Sequence, residues 1–150
     1  MDKTFLIAQL AAKLKVAMDQ ALRFAEDARL EAATGAPRAV NLAAATRTRL
    51  EAAQAAYEAV VGFDAQPLKK GERIGLGTIV EVEDGEGGKT LFLAPAGAGE
   101  ELTGPDGDGF LSVVTPGSPF GRALMGKRVG DVIEVTVAGE LTEWEVVFAG

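Results

Sequence analysis

Apolar residues in the first part of the chain recur at alternating spacings of three and four positions. The recurring set is Ile7, Leu10, Leu14, Ala17, Ala21, Phe24 and Ala28. This is the a/d pattern of a heptad repeat, which predicts one helix over residues 2–34 with a length of roughly 50 Å. Gly35-Ala36-Pro37 then supplies a glycine suited to ending that helix and a proline suited to opening another.

The same spacing continues after the proline. The second set is Thr46, Leu50, Ala53, Tyr57 and Val60. Two such helices joined by a tight turn predict an antiparallel coiled-coil hairpin over residues 1–66, with its tip near residues 34–40. The many alanines allow the two backbones to approach closely. The hairpin is either a structural element of this chain or a self-associating coiled coil.

After Phe63-Asp64-Ala65-Gln66-Pro67 the pattern changes to period-two alternation separated by glycine-rich turns, which predicts a second domain over residues 67–150. Strands are expected at residues 78–83, 90–94, 110–114, 133–137 and 144–148, with a loop over residues 95–109. Trp144 and Phe148 alternate with glutamates and are expected in the core. The fold class is α+β, with an antiparallel sheet and one short helix.

The short helix is predicted between the third and fourth of these strands. Ser118-Pro119 is typical of a helix start, because the hydroxyl caps the first turn and the proline needs no hydrogen-bond acceptor there. Gly126 is suited to ending the helix, and Lys127 and Arg128 follow where cations complement its negative end.

Composition restricts the chemistry. The chain has no Cys and no His, which excludes thiol chemistry, Ser-His catalysis and His-ligated zinc. The formal net charge is −7, and residues 67–150 carry the whole acidic excess, with fourteen Asp/Glu against seven Lys/Arg. We therefore do not expect this chain to bind the phosphate backbone of a nucleic acid by charge alone. With no apolar run of about 20 residues and no signal pattern, we expect a cytoplasmic protein without a membrane contact.

The segment Ser118-Pro119-Phe120-Gly121-Arg122-Ala123-Leu124-Met125-Gly126-Lys127-Arg128-Val129-Gly130-Asp131 resembles the pattern S-P-x-x-R-A-L-L-x-K-x-x-G-D of the Gre transcription elongation factors. In that family it belongs to an FKBP-like C-terminal domain. The run Ile74-Gly75-Leu76-Gly77-Thr78-Ile79-Val80 is similar to the family's opening strand. The family also carries an N-terminal antiparallel coiled coil, so the resemblance covers nearly the whole chain.

The resemblance implies that the partner is RNA polymerase. In the family, the sheet domain docks on the rim coiled coil of the largest subunit and the hairpin enters the secondary channel. Carried over, the docking residues are Ser118, Pro119, Phe120 and Arg122, with Gly117 in place of the acidic residue that often precedes the Ser-Pro pair. We expect a monomer that is not itself an enzyme and does not bind nucleic acid sequence-specifically.

The hairpin tip departs from the family pattern. Gre factors carry an acidic tip motif, similar to G-D-L-S-E-N, that helps to hold a second Mg²⁺ for cleavage of backtracked RNA. Here the tip residues are Gly35, Ala36, Pro37, Arg38 and Asn41, and no carboxylate lies between Glu31 and Glu51. We therefore expect no cofactor apart from Mg²⁺ in the polymerase active site, and no efficient stimulation of cleavage.

The charged residues near the tip can each be interpreted in two ways. Asp27 and Glu31 lie one helical turn apart and are weak metal candidates, although an exposed acidic pair balanced by arginines is favoured. Arg38 is either a phosphate contact or a solvated turn residue. In the sheet domain, Asp106-Gly107-Asp108-Gly109 is a polar turn rather than a calcium loop, because the remaining ligands are missing.

One alternative function is an enzyme, an FKBP-like peptidyl-prolyl isomerase with a helical appendage. Such a site needs a concave apolar pocket lined by several aromatic rings. The sheet domain offers only Phe92, Phe110, Phe120, Trp144 and Phe148, and at least two of these are needed for its core.

Overall fold

The computed structural model describes residues 3–104 and 109–150, which form two long helices, a six-stranded sheet and a short helix. In chain order these are α1 (Thr4–Ala32), α2 (Pro37–Val61), β1 (Ile79–Glu83), β2 (Gly88–Leu93), β3 (Glu101–Thr103), β4 (Phe110–Val114), α3 (Pro119–Leu124), β5 (Val132–Val137) and β6 (Glu140–Ala149). The predicted α+β fold is confirmed. The Asp106-Gly107-Asp108 part of the predicted polar turn lies outside the described residues.

The turn between α1 and α2 follows the prediction from its glycine and proline. Gly35 adopts a φ of +79°, a left-handed conformation that favours glycine, and Pro37 is the first residue of α2. The Thr34 hydroxyl donates a hydrogen bond to the Glu31 carbonyl at 2.9 Å, which satisfies one of the free carbonyls at the end of α1.

The heptad seam is only partly buried. Ile7, Leu10 and Leu14 are buried near the base of the hairpin, whereas Ala17 and Phe24 are exposed, Phe24 to 66%. Ala17 and Phe24 still lie on the predicted seam, because both line an open groove between α1 and α2.

The sheet has the strand order β3-β4-β2-β1-β6-β5 and is mixed rather than antiparallel throughout. β2 and β4 are parallel neighbours, whereas the other pairs are antiparallel. The expected loop over residues 95–109 contains β3, which forms the edge of the sheet outside β4. β4 lies between β2 and β3, parallel to β2 and antiparallel to β3.

Both faces of the sheet are covered over part of their area. On one face, Phe120 and Leu124 of α3 pack with Trp144 and its neighbours, and the Phe120 and Trp144 rings meet edge to face at 5.6 Å between centroids. On the other face, the base of the hairpin packs Leu6 and Leu10 against Phe92. The predicted division at residue 66 falls in the segment between α2 and β1, and it stays a prediction.

Phe148 is 46% exposed, so its placement in the core beside Trp144 was wrong. The reason is a β-bulge in β6. Val82 pairs with Val146, whereas the preceding residue, Glu81, pairs with Phe148. One extra residue in β6 moves every later side chain to the opposite face, so Phe148 leaves the Trp144 face despite its even spacing.

Two polar contacts attach the hairpin to the sheet domain. The side-chain amide of Gln9 accepts a hydrogen bond from the Thr103 N–H at 2.9 Å and donates one to the Thr103 carbonyl at 3.1 Å. The Lys3 ammonium is buried and donates to the carbonyls of Gln66, at 3.1 Å, and Gly77. Burial lowers the pKa of Lys3 from its ordinary value.

Candidate functional site

The loop that opens α3 is built around Ser118. Its backbone is extended, with φ −80° and ψ 159°, and Pro119 is the first residue of the helix, as predicted. The expected helix cap was wrong: the hydroxyl donates to the Thr115 carbonyl at 2.8 Å and accepts from the Thr115 N–H at 3.0 Å. Ser118 therefore closes its own turn, and the hydroxyl fixes the angle at which α3 leaves β4.

The structure separates the four predicted docking residues into two groups. Pro119 and Arg122 are exposed and Ser118 is half-buried, and Pro119 and Arg122 line a shallow groove between α3 and β5. Phe120 is only 9% exposed and packs in the core. It supports α3 from beneath and does not offer its ring to a partner. The surface residues Ser118, Pro119 and Arg122 are called the α3 surface below.

Lys89 is a neighbour of this region that the sequence did not indicate. Its ammonium lies 5.4 Å from the centroid of Phe120 and 5.6 Å from that of Trp144. Contacts at this distance are attractive because the ring faces carry partial negative charge. Lys89 is in β2, far from α3 in sequence, so only the fold brings the cation to the two rings.

The tip residues are exposed, and Arg38 lies in the first turn of α2. Among residues 32–46 Arg38 is the only charged residue. A magnesium ion needs oxygen ligands, preferably carboxylates, so the residues present at the tip do not fit the metal held by the family's acidic motif.

Asp27 and Glu31 lie in the last two turns of α1, on the wall of a groove between the helices that Phe24, Leu42 and Arg49 also line. Both carboxylates are exposed. Over residues 3–104 and 109–150 no three Asp, Glu, His or Cys residues are grouped so that they could hold a metal ion. The same ranges contain no helix that is long and apolar enough to cross a bilayer.

The family model for the C-terminal part of the GreA/GreB transcription elongation factors matches residues 69–149. The transcription inhibitor protein Gfh1 of Thermus aquaticus is 39% identical over 80 residues, which are 51% of this chain and 46% of that protein. The elongation factor GreA of Polaromonas naphthalenivorans is 30% identical over 99 residues, or 66% and 59% of the two chains. The chain spans about half the length of the curated relatives it matches.

A solved structure of the transcription factor Gfh1 aligns with 95% of this chain and 92% of its own, at 24% identity and a TM-score of 0.44. The family model covers more than half of the 150 residues and includes α3, its preceding turn and all six strands of the sheet. The chain therefore belongs to the GreA/GreB family of transcription elongation factors.

Proposed function

We propose that this protein regulates transcription by binding RNA polymerase, with its sheet domain docked on the rim of the secondary channel and its hairpin inside the channel. In this proposal it occupies the place of a cleavage factor without supplying the second magnesium ion. The observation that carries the proposal is a long hairpin, in a member of this family, whose tip has no carboxylate.

The length and attachment of the hairpin support insertion. α1 has 29 residues, which corresponds to about 44 Å at the rise of an α-helix. The base of the hairpin shares a hydrophobic cluster with the sheet and is bonded through Gln9 to the edge strand. A tip held on such a base lies at a defined distance from a docked sheet domain.

The α3 surface supports docking for a similar reason. Phe120 and Leu124 anchor the helix in the core, so the exposed Pro119 and Arg122 project from a rigid element. A pre-organised surface loses little conformational entropy when a partner binds. The Ser118 hydroxyl is already bonded to Thr115, so its contribution is the shape of the turn.

The residues at the hairpin tip are suited to occupying the secondary channel but not to stimulating transcript cleavage. Hydrolysis with two metal ions requires ligands for both, and carboxylates are the preferred ligands for Mg²⁺. This tip offers the Arg38 guanidinium instead, which is suited to phosphate oxygens and repels a metal ion. That some relatives are named transcription inhibitors supports the same interpretation.

The isomerase alternative gains no support from the aromatic residues. Phe92, Phe120 and Trp144 are buried in the two hydrophobic clusters, which leaves Phe110 and Phe148 as the exposed rings of the domain. A prolyl-isomerisation assay on a short peptide should give the uncatalysed rate.

The proposal is tested by binding of the fluorescently labelled protein to polymerase purified from the native host. Ser118→Glu should weaken binding because it adds a charge to the turn before α3. Pro119→Ala should weaken binding because it removes the proline ring that restricts the backbone at the start of α3. Glu140→Gln, at the exposed first residue of β6, is the matched control and should bind like the wild type. Equal affinity for all four proteins removes the α3 surface from the proposal, and no binding by the wild type refutes it.

A further inference from the structure

Positive charge is concentrated in one part of the acidic sheet domain. Five of the seven Lys/Arg in residues 67–150 lie in two short segments, one before β1 and one directly after α3. They are Lys69, Lys70, Arg73, Lys127 and Arg128, and all five are exposed. These five residues are called the basic patch below.

Hydrogen bonds hold the two segments side by side. The Ile74 N–H donates to the Lys127 carbonyl at 2.7 Å, and the Gly126 N–H donates to the Ile74 carbonyl at 2.9 Å. The Arg73 guanidinium also donates to the Gly126 carbonyl, at 3.2 Å. The two segments that carry the five cations therefore lie side by side, although more than fifty positions separate them in sequence.

The basic patch is not neutralised from within. Within the described ranges, none of its side chains forms an ion pair with a carboxylate. The Asp131 carboxylate, three positions after Arg128, accepts a hydrogen bond from the Arg128 backbone N–H at 2.9 Å and so closes its own turn. The exposed Glu72 lies in the first segment, so the five cations stand against two neighbouring carboxylates, those of Glu72 and Asp131. The net positive charge that remains produces a local positive potential that favours an anionic partner.

We propose that the basic patch is a second docking contact, made with a carboxylate-rich protein surface of the polymerase beside the contact made by the α3 surface. This inference rests on the proposed function. Continuity supports it, because α3 leads from Ser118 and Arg122 directly to Lys127. Charge complementarity defines the occupant as an acidic surface.

The neighbours of the basic patch favour a protein over a nucleic acid. Exposed apolar side chains, Met125 at 39% and Val129 at 56%, flank Lys127 and Arg128 in the same segment. Single-stranded nucleic acids are bound by cations together with aromatic rings on which bases stack, and no aromatic residue occurs in the segments 69–76 or 125–131. The domain's acidic excess also repels a phosphate backbone.

The test is the double variant Lys127→Glu with Arg128→Glu in the full chain. The neighbouring segment is bonded through the Lys127 carbonyl, and the Arg128 backbone N–H donates to the Asp131 carboxylate, so the change of side chains removes neither bond. The Kd for polymerase should rise about tenfold at low salt, and the difference should shrink several-fold at high salt. The charge-conserving control Lys127→Arg with Arg128→Lys should bind like the wild type. A second reversal, Lys69→Glu with Lys70→Glu, repeats the test on the other segment.

The outcomes separate this inference from the proposed function. If the wild type does not bind polymerase, both fail. If the wild type binds and both reversals match its affinity and salt dependence, the basic patch is not a docking contact while the proposed function stands. If the reversals abolish binding of a single-stranded RNA oligonucleotide but leave polymerase affinity unchanged, the occupant is a nucleic acid and the inference is overturned.

Discussion

The attachment of the hairpin to the sheet gives a quantitative prediction at Gln9. Its amide makes two hydrogen bonds with the backbone of Thr103 in the edge strand, at 2.9 and 3.1 Å. Gln9→Ala removes both and leaves the backbone groups of Thr103 without these partners. At about 1 kcal/mol each, less about 0.4 kcal/mol returned by the better helix propensity of alanine, the free energy of unfolding should fall by about 1.5 kcal/mol.

Urea unfolding followed by far-UV circular dichroism measures this change. The control is Gln54→Ala on the exposed surface of α2, which should shift the free energy of unfolding by less than about 0.5 kcal/mol. If the two variants are equally stable, the hydrogen bonds between α1 and β3 contribute nothing to the free energy of unfolding.

A charged variant sharpens the same prediction. Gln9→Glu keeps an acceptor for the Thr103 N–H but places a carboxylate against the Thr103 carbonyl, where the amide used to donate. The folded state should therefore raise the pKa of the new carboxyl, so its protonated form is favoured. The penalty relative to the wild type should be smaller at pH 4 than at pH 7, because a protonated carboxyl can donate again. If the loss of unfolding free energy in Gln9→Glu does not change with pH, the new carboxylate does not face the Thr103 carbonyl.

Three further predictions use other parts of the chain. Trp144→Ala should cost about 3–5 kcal/mol and Phe148→Ala about 1 kcal/mol or less in urea unfolding, because the bulge puts only Trp144 in the core; equal costs would contradict the bulge. Burial lowers the pKa of Lys3 from 10.5, so the folded state binds fewer protons than the unfolded state over the window below that value. The stability of the wild type relative to Lys3→Met should therefore rise with pH through this window, and a flat difference would contradict the burial. Arg38→Ala should change transcript elongation rates in vitro while polymerase affinity changes by no more than a few fold, and wild-type behaviour would make Arg38 a solvated turn residue.

The sequence pattern was sufficient for the elements whose signals are local. The heptad spacing with Gly35 and Pro37 predicted both long helices and their turn, and Ser118-Pro119 predicted the start of α3. These signals depend on the conformation of a few consecutive residues. The resemblance of residues 118–131 to the Gre pattern then indicated the family that the comparisons confirm.

The sequence predictions failed where contacts between segments distant in sequence determine strand pairing or side-chain burial. A bulge of one residue reverses the face of Phe148, and the insertion of β4 between β2 and β3 makes one strand pair parallel. Phe24 continues the heptad spacing and lines the groove between the two helices, yet the groove is open there and its ring stays exposed. The basic patch was likewise absent from the sequence pattern, since it depends on backbone hydrogen bonds between Ile74 and Lys127.

The most direct test of the proposed function is the rate of Mg²⁺-dependent transcript cleavage in backtracked elongation complexes, measured as this protein is titrated with and without an authentic cleavage factor. The tip has no carboxylate, so the protein alone should leave the intrinsic rate of the polymerase unchanged, and it should lower the factor-stimulated rate with increasing concentration. A saturable rise well above the intrinsic rate, lost in Asp27→Asn or Glu31→Gln, would contradict the account and would identify those carboxylates as the metal ligands.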